Sequence, residues 1–171
     1  MNKEYIWYAC YGSNLLKERF KHYIHGGVCR FNGSSYDGCT DQSEPLDDRP
    51  CIINHKLYFG NRSSKWDGGG VAFLNPVRNE KVVTLGRMFL ITEEQFKEVQ
   101  RQEGPGWYNE VLDLGVVEGI PIKTFTHSTV FSRNKPSEKY IGVVRKGLSE
   151  TYLGKSNRDI TAYLQECMSD I

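Results

Sequence analysis

The run Tyr5-Ile-Trp-Tyr-Ala-Cys is apolar and aromatic, and it stops at Tyr11-Gly12-Ser13-Asn14. An unbroken apolar run closed by turn residues predicts a buried central strand over residues 4–10. Beyond the turn the period changes. Leu15, Leu16, Phe20 and Tyr23 form the apolar side of a predicted helix over 15–24, which His25-Gly26-Gly27 ends because glycine suits a left-handed cap. Residues 28–48 are irregular and rich in Gly, Ser, Asp and Cys. A loop that long in a compact domain is usually functional, and it is read as a lid over one side of a site.

Strand patterns resume over 49–60 through Cys51, Ile52, Ile53, Leu57, Tyr58 and Phe59, ahead of a polar turn at Asn61–Lys65. Gly68-Gly69-Gly70 then lead into Val71-Ala72-Phe73-Leu74, with Asn75-Pro76 as the stop. No Lys-Ser or Lys-Thr and no helix follow the three glycines. They read as close backbone packing at a strand start, not a phosphate cradle. Val82–Ile91 is a further strand. Thr92-Glu93-Glu94-Gln95 is a capping-box pattern that opens a helix to about Gln102, with Phe96 and Val99 as its apolar edge and Gly104-Pro105 as its stop. Residues 108–118 and 121–131 are two strands joined at Glu118-Gly119. Pro136-Ser137 opens a helix through Lys146 with Gly147 as its cap. Ser156 opens a last one, in which Ile160, Tyr163, Leu164 and Cys167 recur at helical spacing. Six or more strands and three or four helices, not strictly alternating, predict an α+β domain rather than a doubly wound sheet.

Composition narrows the function. A chain of 171 residues is expected to form one domain, residues 1–171. Lys+Arg total 22 against Asp+Glu 21, so there is no basic surplus for nucleic acid. No apolar stretch is long enough for a bilayer, and Met1-Asn2-Lys3-Glu4 leads into the first strand without a signal-peptide core, which points to the cytoplasm. The five cysteines contain no Cys-x-x-Cys pair and the four histidines are scattered, so neither a metal nor a cofactor is expected. His22 and His25 are read as solvated helix-end residues, and Cys10 as a structural buried thiol.

Two places carry candidate chemistry. The strand-to-helix corner Tyr11-Gly12-Ser13-Asn14 presents main-chain N–H groups where a carboxylate or phosphate could sit; its plainer reading makes Ser13 or Asn14 an N-cap. Glu103 falls at the C-terminal end of a helix, where the dipole disfavours a carboxylate. If the group is also buried, its proton affinity rises towards what a general base near neutral pH requires.

These segments resemble the gamma-glutamylcyclotransferase family. The carriers are the aromatic strand with Tyr11-Gly12-Ser13-Asn14-Leu15, and the block Glu103-Gly104-Pro105-Gly106-Trp107-Tyr108, similar to the family's catalytic glutamate, glycine and later tyrosine. Leu57-Tyr58-Phe59 through Gly68-Gly69-Gly70-Val71-Ala72, and Ser137-Glu138-Lys139-Tyr140 ahead of Gly147-Leu148, extend the likeness over residues 4–155. The resemblance implies a closed or nearly closed mixed β-barrel of about six strands with helices packed outside. It also implies a reaction without a cofactor, in which the α-amine of a gamma-glutamyl group attacks its own γ-carbonyl to release 5-oxoproline and an amine or amino acid. Glu103 would be the catalytic acid-base. Tyr11, Gly12, Ser13, Asn14 and Leu15 would form the loop that holds the α-carboxylate or the carbonyl oxygen, and Tyr108 and Tyr140 would orient the glutamyl group. The partner is then a small gamma-glutamyl compound. The chain departs from the family in a short Glu103–Tyr108 gap, in Phe125 where some members carry tyrosine, and in a long 28–48 segment on the leaving-group side. Two rival readings are a non-catalytic binding or regulatory module on the same fold, and a cysteine hydrolase using Cys10 or Cys51 with His55.

Overall fold

A computed structural model describes residues 2–171. The first strand, β1 (Tyr5–Cys10), lies inside a five-stranded sheet in the order β4-β7-β1-β9-β8. Here β4 is Asp48–Ile53, β7 Thr84–Thr92, β8 Glu110–Val117 and β9 Ile120–Thr126. β1 runs antiparallel to β7 and parallel to β9. Trp7 and Ala9 face one hydrophobic core while Ile6, Tyr8 and Cys10 face a second. Successive side chains on a strand point to opposite faces, so burial on both sides accounts for a sequence with no polar alternation.

β5 (His55–Ser63) and β6 (Gly69–Arg78) form a separate two-stranded sheet, and β2 (Gly27–Val28) pairs with β3 (Ser35–Tyr36) inside the segment expected to be irregular. The α+β class is as expected, but no sheet of the described residues closes into a barrel. Side-chain hydroxyls stand where ladder bonds would be needed. Thr126 Oγ1 donates to the carbonyl of Leu74 and accepts from its N–H, and Thr84 Oγ1 donates to the carbonyl of His55.

Four helices pack on this frame: α1 (Lys17–His25), α2 (Glu93–Glu103), α3 (Glu138–Thr151) and α4 (Asn157–Cys167). α2 opens with the capping box read from sequence, with Thr92 Oγ1 accepting from the Gln95 N–H and Gln95 Oε1 from the Thr92 N–H. Three expectations need correction. β6 continues through Asn75-Pro76 to Arg78, and β9 stops at Thr126 rather than near 131. Gly147 is not a cap. α3 passes through it to Thr151, and a side chain at 147 would meet the Leu16 nitrogen at 2.5 Å and the Leu15 carbonyl carbon at 2.6 Å. The helix is therefore glycine at that point so that it can rest on the Leu15-Leu16 backbone. Close packing holds for Gly69 and Gly70 of the three glycines: a Cβ at Gly69 would lie 2.6 Å from the Ser137 nitrogen, whereas one at Gly68, where φ is +76°, would meet nothing within 4 Å.

Candidate active site

β1 delivers the chain to a corner. Tyr11-Gly12 leads into a single 3-10 turn, Ser13–Leu15, closed by the Leu15 N–H on the Gly12 carbonyl at 3.1 Å. Leu16 is extended, and only then does α1 begin. Neither Ser13 nor Asn14 caps that helix, which corrects the N-cap reading. The Lys17 N–H is taken by Glu150 Oε1 of α3 at 2.8 Å. Arg87 of β7 holds the same corner from below, donating to the Leu15 carbonyl, to Glu150 and to Asp48. With the capping duty met from α3, the Asn14 side chain is free to turn inward. Its Nδ2 donates to Glu103 Oε1 at 3.1 Å and to the Tyr8 hydroxyl at 3.2 Å.

Glu103 is the last residue of α2, and Gly104 beyond it has φ of +95°, a conformation that suits glycine. Burial pushes the Glu103 carboxyl above the usual carboxylate range. The positive charge of Arg19 opposes that shift, as do hydrogen bonds from Tyr23 and Asn14. The carboxyl group thus combines a raised proton affinity with a fixed donor in Asn14 Nδ2.

Glu103 and the corner share one cavity of about 280 Å³. Of the residues singled out in the sequence, Tyr11, Gly12, Ser13, Asn14, Glu103, Tyr108 and Tyr140 line it. Leu15 does not: it is fully buried beneath the corner, in the main core. Several hydroxyls are already engaged. Tyr11 donates to the Phe125 carbonyl at 2.7 Å and Tyr108 to the Ala72 carbonyl at 3.0 Å. The Tyr140 hydroxyl accepts from the Ala72 N–H at 3.0 Å. Burial raises the Tyr140 hydroxyl to about 12, so it stays protonated near neutral pH and can donate its own hydrogen. Gly12 makes this packing possible, since a Cβ there would sit 2.8 Å from the Tyr140 oxygen.

Sequence reading missed a second wall. Arg19 and Tyr23 of α1, Tyr36 of β3, Lys65 and Trp66 also line the cavity. Arg19 is only 3% exposed, and its Nη2 donates to the hydroxyls of Tyr23 at 3.0 Å and Tyr36 at 2.8 Å. A signal existed: Arg19 and Tyr23 are spaced i, i+4, so the arginine borders the apolar side of the helix. The 28–48 segment walls the cavity through Tyr36 and is gripped by α2. Gln95 donates to the carbonyls of Asp41 and Ser43, and Gln102 Oε1 accepts from the Gly38 N–H.

The cysteine pairing has no geometric support. His55 Nδ1 is engaged with the Asn75 carbonyl at 2.8 Å, and no cysteine–histidine hydrogen bond occurs among the described residues. Burial pushes Cys10 well up and Cys51 to about 12. No group of three His, Cys, Asp or Glu residues among those described is placed to hold a metal ion, and no described helix is long and apolar enough to cross a membrane.

No protein-family model matches the chain. An Arabidopsis thaliana protein, histone deacetylase 5, is 30% identical over 205 residues, covering 96% of this chain and 31% of that protein. The chain therefore spans less than a third of that relative's length. Among solved structures, a gamma-glutamyl cyclotransferase superposes with a TM-score of 0.66 at 22% identity, covering 93% of this chain and 88% of the other. The Homo sapiens uncharacterized protein loc79017 superposes with a TM-score of 0.67, also at 22% identity, covering 94% and 88%. The chain has the fold of the gamma-glutamyl cyclotransferases.

Proposed function

We propose that this chain is a single-domain gamma-glutamylcyclotransferase that converts a small gamma-glutamyl compound into 5-oxoproline and a free amine or amino acid. The observation that carries the reading is the Asn14–Glu103 hydrogen bond. It joins residues 89 positions apart and places a half-buried carboxyl group against the strand-to-helix corner at one cavity. The comparisons support the fold; the reaction rests on this geometry and on the motifs.

In the proposed reaction the α-ammonium of the substrate gives a proton to Glu103, and the freed amine attacks the γ-carbonyl carbon. The C–N bond of the lactam forms as the carbonyl becomes a tetrahedral oxyanion. Glu103 returns its proton to the departing nitrogen, takes the second proton from the ring nitrogen and passes that on in turn. The old amide bond breaks and the leaving group departs as an ammonium. Protons balance, and the carboxylate is regenerated. Holding the glutamyl chain folded back replaces an unfavourable encounter by a positioned one, a source of large rate gains. Main-chain N–H groups of the Gly12–Asn14 corner serve the α-carboxylate or the carbonyl oxygen, where donors fixed in a water-poor site stabilise developing charge. Tyr140 and Tyr108 shape the pocket around the glutamyl group.

The test is 5-oxoproline release from a panel of gamma-glutamyl compounds by wild type and Glu103→Gln. Wild type should release it. The variant should keep the fold and bind 5-oxoproline, yet lose turnover by about a hundredfold or more, since its amide cannot carry the proton. Full activity in the variant removes Glu103 from the mechanism. Binding without release by wild type would leave a non-catalytic module on this fold.

A further inference from the structure

Two hydrogen-bond donors reach the hydroxyl oxygen of Tyr36: Arg19 Nη2 at 2.8 Å and Asn32 Nδ2 at 3.1 Å. Both of its acceptor positions are therefore filled, and the one bond left to this hydroxyl is donation of its own hydrogen. No acceptor for that hydrogen occurs among the described residues, although Tyr36 is only 7% exposed and lines the cavity. The surroundings are electropositive. The Arg19 guanidinium lies 4.8 Å from the centre of the Tyr36 ring and Lys65 Nζ 5.2 Å from it. Among the described residues Arg19 itself makes no salt bridge, and its buried Nε and Nη1 have no hydrogen-bond partner. The cavity carries Arg19, Arg62 and Lys65 against one carboxyl group, that of Glu103. A buried cation with no counter-ion is costly unless something completes it.

We infer that Tyr36, aimed by Arg19 and Asn32, donates its hydroxyl hydrogen to a carboxylate of the substrate and so sets the preference of this site for anionic gamma-glutamyl compounds. The inference rests on the cyclotransferase reading for the glutamyl part of the ligand and adds what the opposite wall recognises. It also gives the long 28–48 segment a task. The β2–β3 hairpin carries the donor in, and α2, the helix that bears Glu103, clamps the segment through Gln95 and Gln102. The shared chemistry is a carboxylate. It can come from the glutamyl α-carbon or from an amino-acid leaving group, and the two sources are separable.

Affinities are measured for two matched pairs in protein with and without Tyr36→Phe. The first pair is 5-oxoproline against 2-pyrrolidinone, which lacks only the carboxylate. The second, in a Glu103→Gln background that cannot turn substrate over, is gamma-glutamylglycine against gamma-glutamylmethylamine. Wild type should prefer the carboxylate in at least one pair. Tyr36→Phe should cut that preference about 10-fold or more, the worth of a hydrogen bond to a charged group, while leaving the neutral member almost unchanged. The pair affected identifies the source. Asn32→Ala frees an acceptor position on Tyr36 without touching the ring, and should weaken the same preference if Tyr36→Phe proves poorly folded. Equal loss for both members of each pair would mean that Tyr36 only supports Arg19, and would overturn the inference. So would a wild type indifferent to the carboxylate in both pairs. Failure to release 5-oxoproline would instead strike the cyclotransferase reading, while leaving the measured carboxylate preference intact.

Discussion

Two glycines on the same helix make opposite predictions. A Cβ at Gly147 would lie 2.5–2.6 Å from main-chain atoms of Leu15 and Leu16, whereas one at Gly142 meets nothing within 4 Å. Ordinary contact begins near 3.4 Å, so Gly147→Ala asks for a separation of 0.8–0.9 Å between α3 and the corner. Both sides of that contact are backbone and neither can swing away. Overpacking of this kind costs about 1–3 kcal/mol, against a gain in helix propensity of about 1 kcal/mol. Gly147→Ala should therefore be destabilising by up to about 2 kcal/mol, and Gly142→Ala stabilising by about 0.5–1 kcal/mol. For a chain of this size each kcal/mol moves Tm by about 2–4 °C, so thermal and urea unfolding resolve the two with opposite signs. Turnover adds a second readout. α3 carries Tyr140 and the corner carries Asn14, so a displacement near 1 Å should lower kcat about a hundredfold in Gly147→Ala, while Gly142→Ala stays at the wild-type rate. A Gly147→Ala protein as stable and as active as Gly142→Ala would refute the seating of α3 on the corner, and with it the account of how the site is held.

Glu103 gives a pH prediction whose sign follows from burial. Its carboxyl pKa is raised in the folded state, so folding favours the protonated form; that stability is present below the unfolded value and lost as pH rises through the folded one. Glu103→Gln, which has no proton to lose, should gain stability relative to wild type in chemical unfolding as pH rises above about 4.5, the ordinary carboxylate value, and a flat or reversed difference would contradict the burial argument. Burial holds Cys10 well up, Cys39 and Cys51 at about 12 and Cys167 at about 11, so little thiolate exists near neutral pH. Iodoacetamide should leave 5-oxoproline release largely intact; rapid and complete loss would bring a thiol into the mechanism.

What could be read from the sequence was local, and the reason is physical. The β1 run, the Thr92–Gln95 capping box and the stop at Gly104 are each written within a few neighbouring residues, and each stands in the structure near its expected bounds. Closure of the sheet could not be read that way. Whether β6 joins β9 by a ladder or by the Thr126 hydroxyl depends on contacts 52 residues apart. Gly147 misled for the same reason. Glycine after a run of helical residues signals a cap, and only the arrival of Leu15-Leu16 from the far end of the chain gives it another purpose.

Arg19 shows where pattern reading stops. A charged residue on an amphipathic helix is assigned to solvent, because an isolated buried cation is costly. That assignment assumes nothing packs over the polar edge. Here the β2–β3 hairpin folds back over α1, brings Tyr36 to 2.8 Å from the guanidinium, and is kept there by α2 through Gln95 and Gln102. Burial of Arg19 is thus a consequence of the segment with the least regular sequence in the chain. Its positive charge then reaches Glu103, where it opposes the effect of burial on the carboxyl group. A carboxyl group that burial alone would keep protonated is a poor base, and one fully paired with a guanidinium is a poor acid. An arginine that donates to Tyr23 and forms no ion pair with Glu103 among the described residues tempers both extremes. The hairpin therefore bears on the proton affinity of Glu103 as well as on the shape of the cavity, although none of its own residues touches Glu103 through a described hydrogen bond.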